Sequence, residues 1–273
     1  MHVGLVAQRD NGRAADLAAD LRDHLHEADA SVAVDATTAD TLGIDGTSID
    51  AFDVCDLVVS IGGDGTFLYA ARGADGTPVL GVNLGEVGFL NAVGPEEAVE
   101  AVLDEVAAFR SDSLTVREAP RLAARGDGWT APPATNEVVV QGPIRGPGGG
   151  VDVDLRIDGA RYAEGRADGV LIATPTGSSA YNLSESGPLV HPGVDGLVIN
   201  EMCAREGMPP LVVGTDSDIA VDITGSDRAV VVGDGRVLHE LDPPAEVRVG
   251  LADSPMRVAG PATDFFQALD KLD

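Results

Sequence analysis

An aspartate set inside a run of glycines is the group in this chain best suited to chemistry. The segment Gly62-Gly63-Asp64-Gly65-Thr66 directly follows the apolar run Leu57–Ile61. A strand, a glycine-rich turn and a helix together converge backbone N–H groups and aim the positive end of the helix at one point. Gly62, Gly63, Gly65 and Thr66 thus read as a phosphate turn, with glycines that allow close approach. Asp64 is the unusual member. A carboxylate beside phosphates repels them unless it holds Mg²⁺ or accepts a proton from an attacking hydroxyl. Either role suits phosphoryl transfer, where positioning and charge neutralisation dominate. By itself the segment is also ordinary Asp-Gly turn chemistry. Further along, Asp168-Gly169 leads through Val170–Ala173 into a polar stretch, Thr174 to Ser184, that reads as a long loop fed by a buried strand. The two segments point to a kinase with a nucleotide-like substrate. The Gly-Lys-Ser/Thr ending of a P-loop is missing, and no Gly-x-Gly-x-x-Gly follows the first apolar run, which argues against P-loop kinases and dehydrogenases.

Elements must hold these groups. Residues 3–7 predict a buried strand, and 13–28 a helix whose apolar face is Ala14, Leu17, Ala18, Leu21 and Leu25. Further strands are expected at Ser31–Val34, within Asp53–Ile61, and at Pro78–Val82; a helix starts over Phe67–Arg72. Gly94-Pro95-Glu96-Glu97 opens another helix, with Val99, Val102, Leu103 and Val106 buried. Alternating strands and helices predict an α/β domain with a parallel sheet over residues 1–110. From 111 to 254 helical periodicity fades and short β-like runs take over: 137–140, 151–157, 170–173, 219–223, 229–232 and 247–249. This stretch predicts a β-rich domain. Asp158-Gly159 and Asp234-Gly235 are hairpin signals, and Gly142–Gly150 reads as a loop between strands. At the end, Asp264 caps a helix carrying Phe265, Phe266, Leu269 and Leu272, which packs back on the first domain, so that residues 255–273 belong with 1–110.

Charge is the compositional outlier: 18 Lys and Arg against 45 Asp and Glu, a net −27. Lys271 is the only lysine. The acids are dispersed, as in Asp16, Asp20, Asp23 and Glu27, and such a surface repels itself until concentrated salt screens it. A salt-adapted protein is expected. Nucleic-acid and anionic-membrane binding are disfavoured, since both need a basic face. Cys55 and Cys203 make no disulfide framework and read as core residues in a reducing cytoplasm.

Gly62-Gly63-Asp64-Gly65-Thr66 resembles the signature of the NAD kinase family, shared more loosely with diacylglycerol- and sphingosine-type lipid kinases and phosphofructokinases. Asn136-Glu137 before Val138–Val140 resembles that family's Asn-Glu pair. Asp168-Gly169 through Tyr181-Asn182-Leu183-Ser184 resembles its dinucleotide-binding segment, and Gly81-Val82-Asn83-Leu84-Gly85 with Gly88-Phe89-Leu90 is similar too. The resemblance implies an NAD site between the two domains and phosphorylation of the 2′-hydroxyl of the adenosine ribose, giving NADP. It implies Asp64 as proton acceptor and Gly65 beside it. Asn136 and Glu137 would contact the adenosine half, and Arg166 and Asp168 would lie along the dinucleotide. Thr176, Ser179, Ala180, Tyr181, Asn182 and Ser184 would form the binding loop. The donor would be ATP or polyphosphate with Mg²⁺ or another divalent metal, and the enzyme a homodimer or homotetramer. Chemically, Tyr181 can stack on a base and Arg166 can offset pyrophosphate charge. Singly, Asn136-Glu137 also reads as a strand edge, Tyr181 as core, Arg166 as surface charge and Asp168-Gly169 as a turn. The segment departs from the family at Glu185, over Asn200–Pro210 and at Arg236. Two other readings stand beside the NAD kinase: a lipid or small-molecule kinase on the same turn, and a non-catalytic NAD(P)-binding sensor.

Overall fold

The computed structural model describes every residue except 86, 87, 145, 147, 148, 205 and 270–273. The chain divides into two compact units, Met1–Ala119 with Ser254–Asp273, and Pro120–Asp253.

In the first unit, buried apolar runs form a six-stranded sheet. Its order is Ser31–Val34, His2–Ala7, Leu57–Ile61, Val79–Val82, Met256–Val258, Arg117–Ala119. The first five strands run parallel and the last is antiparallel to its neighbour. Leu57–Ile61 is central and buried at every position, as expected for a parallel strand covered on both faces. One face packs Ala14, Ala18, Leu21 and Leu25 of helix Gly12–Glu27 and Val102 and Val106 of helix Ala98–Arg110. The other packs Phe67, Ala70 and Ala74 of helix Asp64–Ala74 against Val6 and Val58. Burying a side chain such as Phe67 stabilises the unit by about 1.5–3 kcal/mol. The helix after the turn begins at Asp64, earlier than the expected Phe67, because the glycine turn feeds the helix directly. Conversely, Pro95, Glu96 and Glu97 stand in a turn before helix Ala98–Arg110, whose N-cap is Glu97.

The C-terminal segment belongs to this unit. Met256–Val258 completes the sheet, and Asp264 caps helix Phe265–Leu269 by accepting from the N–H groups of Phe266 and Gln267. Phe265 packs against Phe89, their ring centroids 6.0 Å apart. The expected aromatic face is only half realised. Phe266 is exposed, Ala268 is the buried position, and Leu272 lies outside the described residues.

The second unit holds two antiparallel six-stranded sheets. One runs Ala160–Ala167, Val151–Ile157, Ile219–Thr224, Ala245–Leu251, Leu122–Gly126, Trp129–Thr130; the other runs Leu211–Gly214, Gly196–Met202, Gly169–Ala173, Glu137–Gln141, Ala229–Gly233, Arg236–Leu241. Val138, Val140, Val170 and Ile172 of the second sheet share a core with Val153, Leu155 and Val221 of the first. Asp158-Gly159 and Asp234-Gly235 are the anticipated hairpins, with φ positive at both residues of each pair, as a type I′ turn requires. Strands such as Ala160–Ala167 and Arg236–Leu241 lack an apolar alternation and were not legible beforehand. The Gly142–Gly150 loop is described only in part, since 145, 147 and 148 lie outside the described residues. Of the two cysteines, Cys55 is buried as expected, but Cys203 is exposed at the end of strand Gly196–Met202. Its φ is +50°, in the left-handed region. Among the described residues, no helix is long and apolar enough to cross a membrane.

Candidate active site

The phosphate turn sits at the carboxyl end of the central strand Leu57–Ile61, where open α/β sheets bind ligands. Backbone bonds pin it on both sides: Gln8 N–H donates to Ile61 O at 2.8 Å, and Gly62 N–H to Val82 O at 2.8 Å. Gly62 has φ of +155°, and a Cβ there would lie 2.6 Å from Thr66 Oγ1. Glycine is therefore demanded by the protein itself at this position. At Gly63 and Gly65 a Cβ would meet nothing within 4 Å. Their bareness serves open space over the turn, which is what an incoming phosphate needs. Gly63 is the N-cap of helix Asp64–Ala74 and supplies no side-chain cap, so N–H groups at that end stay available to an anion. Thr66 N–H closes the first turn onto Gly63 O at 2.9 Å.

Asp64 is the first helical residue and is partly exposed. Its Oδ1 accepts from Asn91 Nδ2 at 2.8 Å and from Leu90 N–H at 3.3 Å. The Gly81–Leu90 motif thus delivers donors to the carboxylate. Glu86 and Val87 of that motif lie outside the described residues.

In the second unit, Asn136 and Glu137 open strand Glu137–Gln141 beside the end of Gly169–Ala173, with Glu137 opposite Ala173. The Asp234 carboxylate, in the hairpin turn, accepts from three successive N–H groups: Thr135 at 2.8 Å, Asn136 at 2.7 Å and Glu137 at 3.4 Å. Thr174 binds the same segment from the other side, its Oγ1 donating to Thr135 O at 2.7 Å and its N–H to Asn136 O at 2.9 Å. The polar stretch that follows is less a loop than two short helical turns, Thr176–Ser179 and Tyr181–Ser184. Gly177 lies against Asn136, and a Cβ there would collide with the Asn136 carbonyl. Gly177→Ala is expected to push the two segments apart, costing about 1–3 kcal/mol of stability and weakening dinucleotide binding. An unchanged melting temperature in a thermal melt would contradict that tight seating.

Glu137 is 5% exposed, and its Oε2 has no hydrogen-bond partner. Burial, then the nearby Asp234 charge, push its carboxyl up to about 7, while the Tyr181 N–H bond pulls it partly back. A buried acceptor in that condition is poised for a ligand hydroxyl or amine.

The remaining expected residues separate into groups. Thr176 and Ser179 bound the helical turn whose Gly177 lies against Asn136, Ala180 links it to the next turn, Tyr181 N–H bonds Glu137, and Ser184 is exposed at the end of the second helical turn. Asn182 is fully buried instead, its amide donating to Ser178 O and Pro188 O, both at 3.0 Å, so it braces the loop from within. Asp168 precedes the opposite end of strand Gly169–Ala173, roughly 16 Å from Glu137 at 3.3 Å per residue, and Arg166 lies further off, in strand Ala160–Ala167 of the other sheet. Arg166 is engaged by Gly149 O, Gly225 O and Asp152, and Asp168 accepts from Gly146 N–H. The single chain does not bring this pair to the Asn136–Glu137 cluster. Sequence reading missed Asp234 and Thr174 as anchors and Asn91 as a partner of Asp64. Asp234 was visible only as a turn former, and nothing in Asn91's immediate neighbours marks it.

A central-strand glycine turn carrying a carboxylate, joined to a β-sandwich with a polar helical loop, defines a two-unit kinase. The ATP-NAD kinase N-terminal domain model matches residues 3–110 and the ATP-NAD kinase C-terminal domain model residues 135–259. The NAD kinase of Halorubrum lacusprofundi is 60% identical over 274 residues, and that of Halobacterium salinarum 58% over 282, each covering the whole of both chains. The chain belongs to the NAD kinase family. Among solved structures, yeast NADH kinase complexed with NADH has the same fold, with a TM-score of 0.86 at 24% identity over all of this chain and 87% of the other. An NAD kinase from Archaeoglobus fulgidus in complex with ATP gives a TM-score of 0.76 at 25% identity, covering 100% and 97%. The Halorubrum and Halobacterium relatives both come from salt-loving archaea, in keeping with the −27 charge.

Proposed function

We infer that this chain transfers the γ-phosphoryl group of ATP to the 2′-hydroxyl of the adenosine ribose of NAD, producing NADP. The observation that carries the reading is the Asp64 carboxylate, held on the open glycine turn at a helix start. Family membership and relatives named NAD kinase support the acceptor, and the Archaeoglobus kinase with ATP supports the donor. Polyphosphate is the alternative donor. In the reaction, the 2′-oxygen bonds to the γ-phosphorus, the bridging bond to the β-phosphate breaks, and the 2′-proton passes to Asp64. A carboxylate is a weak base, with a pKa near 4 in water. A loose transition state asks it mainly to orient the hydroxyl until late proton transfer.

Gly62, Gly63, Gly65 and Thr66 would cradle phosphates through N–H groups. Asn136 and Glu137 would hold hydroxyl or amine groups of the adenosine half. Thr176, Ser179, Ala180, Tyr181 and Ser184 would line the dinucleotide, while Asn182 keeps their loop in shape. Arg166 and Asp168 would act further along NAD. Among the described residues, no three His, Cys, Asp or Glu side chains gather to hold a metal. Mg²⁺ would arrive with the triphosphate, since it keeps several waters and takes one or two carboxylates plus phosphates. The bound ion would offset charge on the transferring phosphate. The reading includes a homodimer or homotetramer and a cytoplasmic setting, the latter supported by two free thiols. A lipid acceptor is not favoured, because residues 174–184 are mostly small and polar.

The test is NADP formation from NAD, Mg²⁺ and ATP or polyphosphate, titrated with KCl. NADP output is expected to rise several-fold toward molar salt as repulsion among the dispersed acids is screened. Full activity in dilute buffer with no gain from salt would sink the salt adaptation. NAD binding without NADP from any donor would favour the sensor.

A further inference from the structure

Two hydrogen bonds converge on one oxygen of the Asp64 carboxylate. Asp64 Oδ1 accepts from the Asn91 side chain at 2.8 Å and from Leu90 N–H at 3.3 Å. No other hydrogen bond or ion pair reaches this carboxylate from the described residues. An ionised carboxylate offers only acceptors, so Asn91 must turn its NH₂ toward it. Asn91 is fully buried, and its own Oδ1 has no partner. An asparagine selected for core stability satisfies both ends of its amide, because an unmade buried hydrogen bond is costly. Here only the end facing Asp64 is satisfied.

The fold also makes room for this residue. Gly81, in the strand next to the one that ends in the glycine turn, lies directly beneath Asn91. A Cβ on Gly81 would stand 2.9 Å from Asn91 Cα. The brace and the turn therefore share one rigid frame: Gly62 N–H is bonded to Val82 O, the residue after Gly81.

We propose that Asn91 is a positioning residue that locks the Asp64 carboxylate, holding Oδ1 against the protein and leaving Oδ2 to orient the acceptor hydroxyl and take its proton. The proposal rests on Asp64 being the proton acceptor. The proton leaves the 2′-oxygen for Oδ2 as that oxygen bonds to phosphorus and the β–γ bridging bond breaks, with the electron pair leaving on ADP. Unbraced, the carboxylate would rotate about its side-chain bonds, and proton transfer depends steeply on alignment.

The experiment compares wild type, Asn91→Leu, Asn91→Asp and Asp64→Asn in molar KCl, with kcat, NAD KM, melting temperature and a pH–rate profile for each. Asn91→Leu removes the donor and the orphaned oxygen together. It is expected to lower kcat roughly ten- to a hundredfold through misalignment, with NAD KM and melting temperature held. Asn91→Asp sets a second carboxylate against the first, so the acid limb of its profile is expected to move up by about one pH unit or more. A kcat for Asn91→Leu near wild type overturns the proposal, as does a fall in kcat matched by lost stability and raised KM. Should Asn91→Leu not fold, an unmoved acid limb in Asn91→Asp overturns it. Asp64→Asn separates the two readings. If it turns over normally, the proton-acceptor reading itself fails. If it is dead while both Asn91 variants behave as wild type, only the positioning role fails.

Discussion

Replacing Asp64 by asparagine is expected to lower turnover by about 10²–10⁴, the range general-base groups contribute, while NAD affinity stays within a few-fold of wild type. The reason lies in what the substitution keeps. The new amide is nearly isosteric and still offers an oxygen to the N–H groups of Leu90 and Asn91. The helix start, the Gly62 turn and the strand beneath it have no cause to move. What is lost is a group that can take the 2′-proton, because an amide oxygen is not a useful base. Steady-state kinetics beside a direct NAD titration would check this. A near-wild-type rate would remove Asp64 from the chemistry, and a parallel collapse of NAD affinity would make it a binding residue instead.

Glu137→Gln is expected to make the protein more stable and a poorer binder of NAD. The folded chain holds the Glu137 carboxyl up to about 7, from an ordinary value of 4.5, through burial first and the Asp234 charge second. Its folded form therefore keeps a proton that the unfolded chain has released. Stability from this group is present in full below pH 4.5 and is lost as pH rises toward about 7. At 1.36 kcal/mol per pH unit, the ionised group costs the fold about 3 kcal/mol above that window. Glutamine carries no charge at any pH. At pH 8 the variant should melt about 6–12 °C higher, and below pH 4.5 the difference should vanish. NAD should bind about tenfold more weakly, because a charge-assisted hydrogen bond is worth roughly 1.5–3 kcal/mol. A melting temperature equal to wild type at pH 8 would mean the carboxyl is solvated. Unchanged NAD affinity would take Glu137 out of the binding site. Stability held below its attainable value at a binding position is a common exchange for function.

Local signals carried much of the fold. The apolar runs at Leu57–Ile61 and Val151–Ile157 and the periodic face of helix Gly12–Glu27 stand where their patterns indicated. Hairpin turns at Asp158-Gly159 and Asp234-Gly235 followed from the backbone those pairs prefer. Strands without a pattern were not legible. Arg236–Leu241 mixes charged and apolar residues, because it is an edge strand with little to bury on either face. Met256–Val258 is a three-residue strand that exists only because Val79–Val82 and Arg117–Ala119 flank it.

The same division runs through the site. The sequence by itself determined the chemical inventory: a carboxylate in a glycine turn, an Asn-Glu pair, a polar segment after a buried strand, and a strongly acidic surface. Those are properties of residue type and near-neighbour spacing, and they sufficed to indicate a kinase with a nucleotide-like substrate; the dinucleotide came from the resemblance to a family. Tertiary structure decided which groups work together and in what condition. It bonded Asn91 to Asp64 across 27 positions and Asp234 to Asn136 across 98. It buried Glu137 so that its carboxyl titrates near 7, and turned Asn182 inward as a brace. It left Arg166 and Asp168 beyond the far end of strand Gly169–Ala173 from Glu137. Hydrogen bonding and desolvation depend on distances of a few ångströms between residues far apart in the chain, and only the closed fold sets those distances.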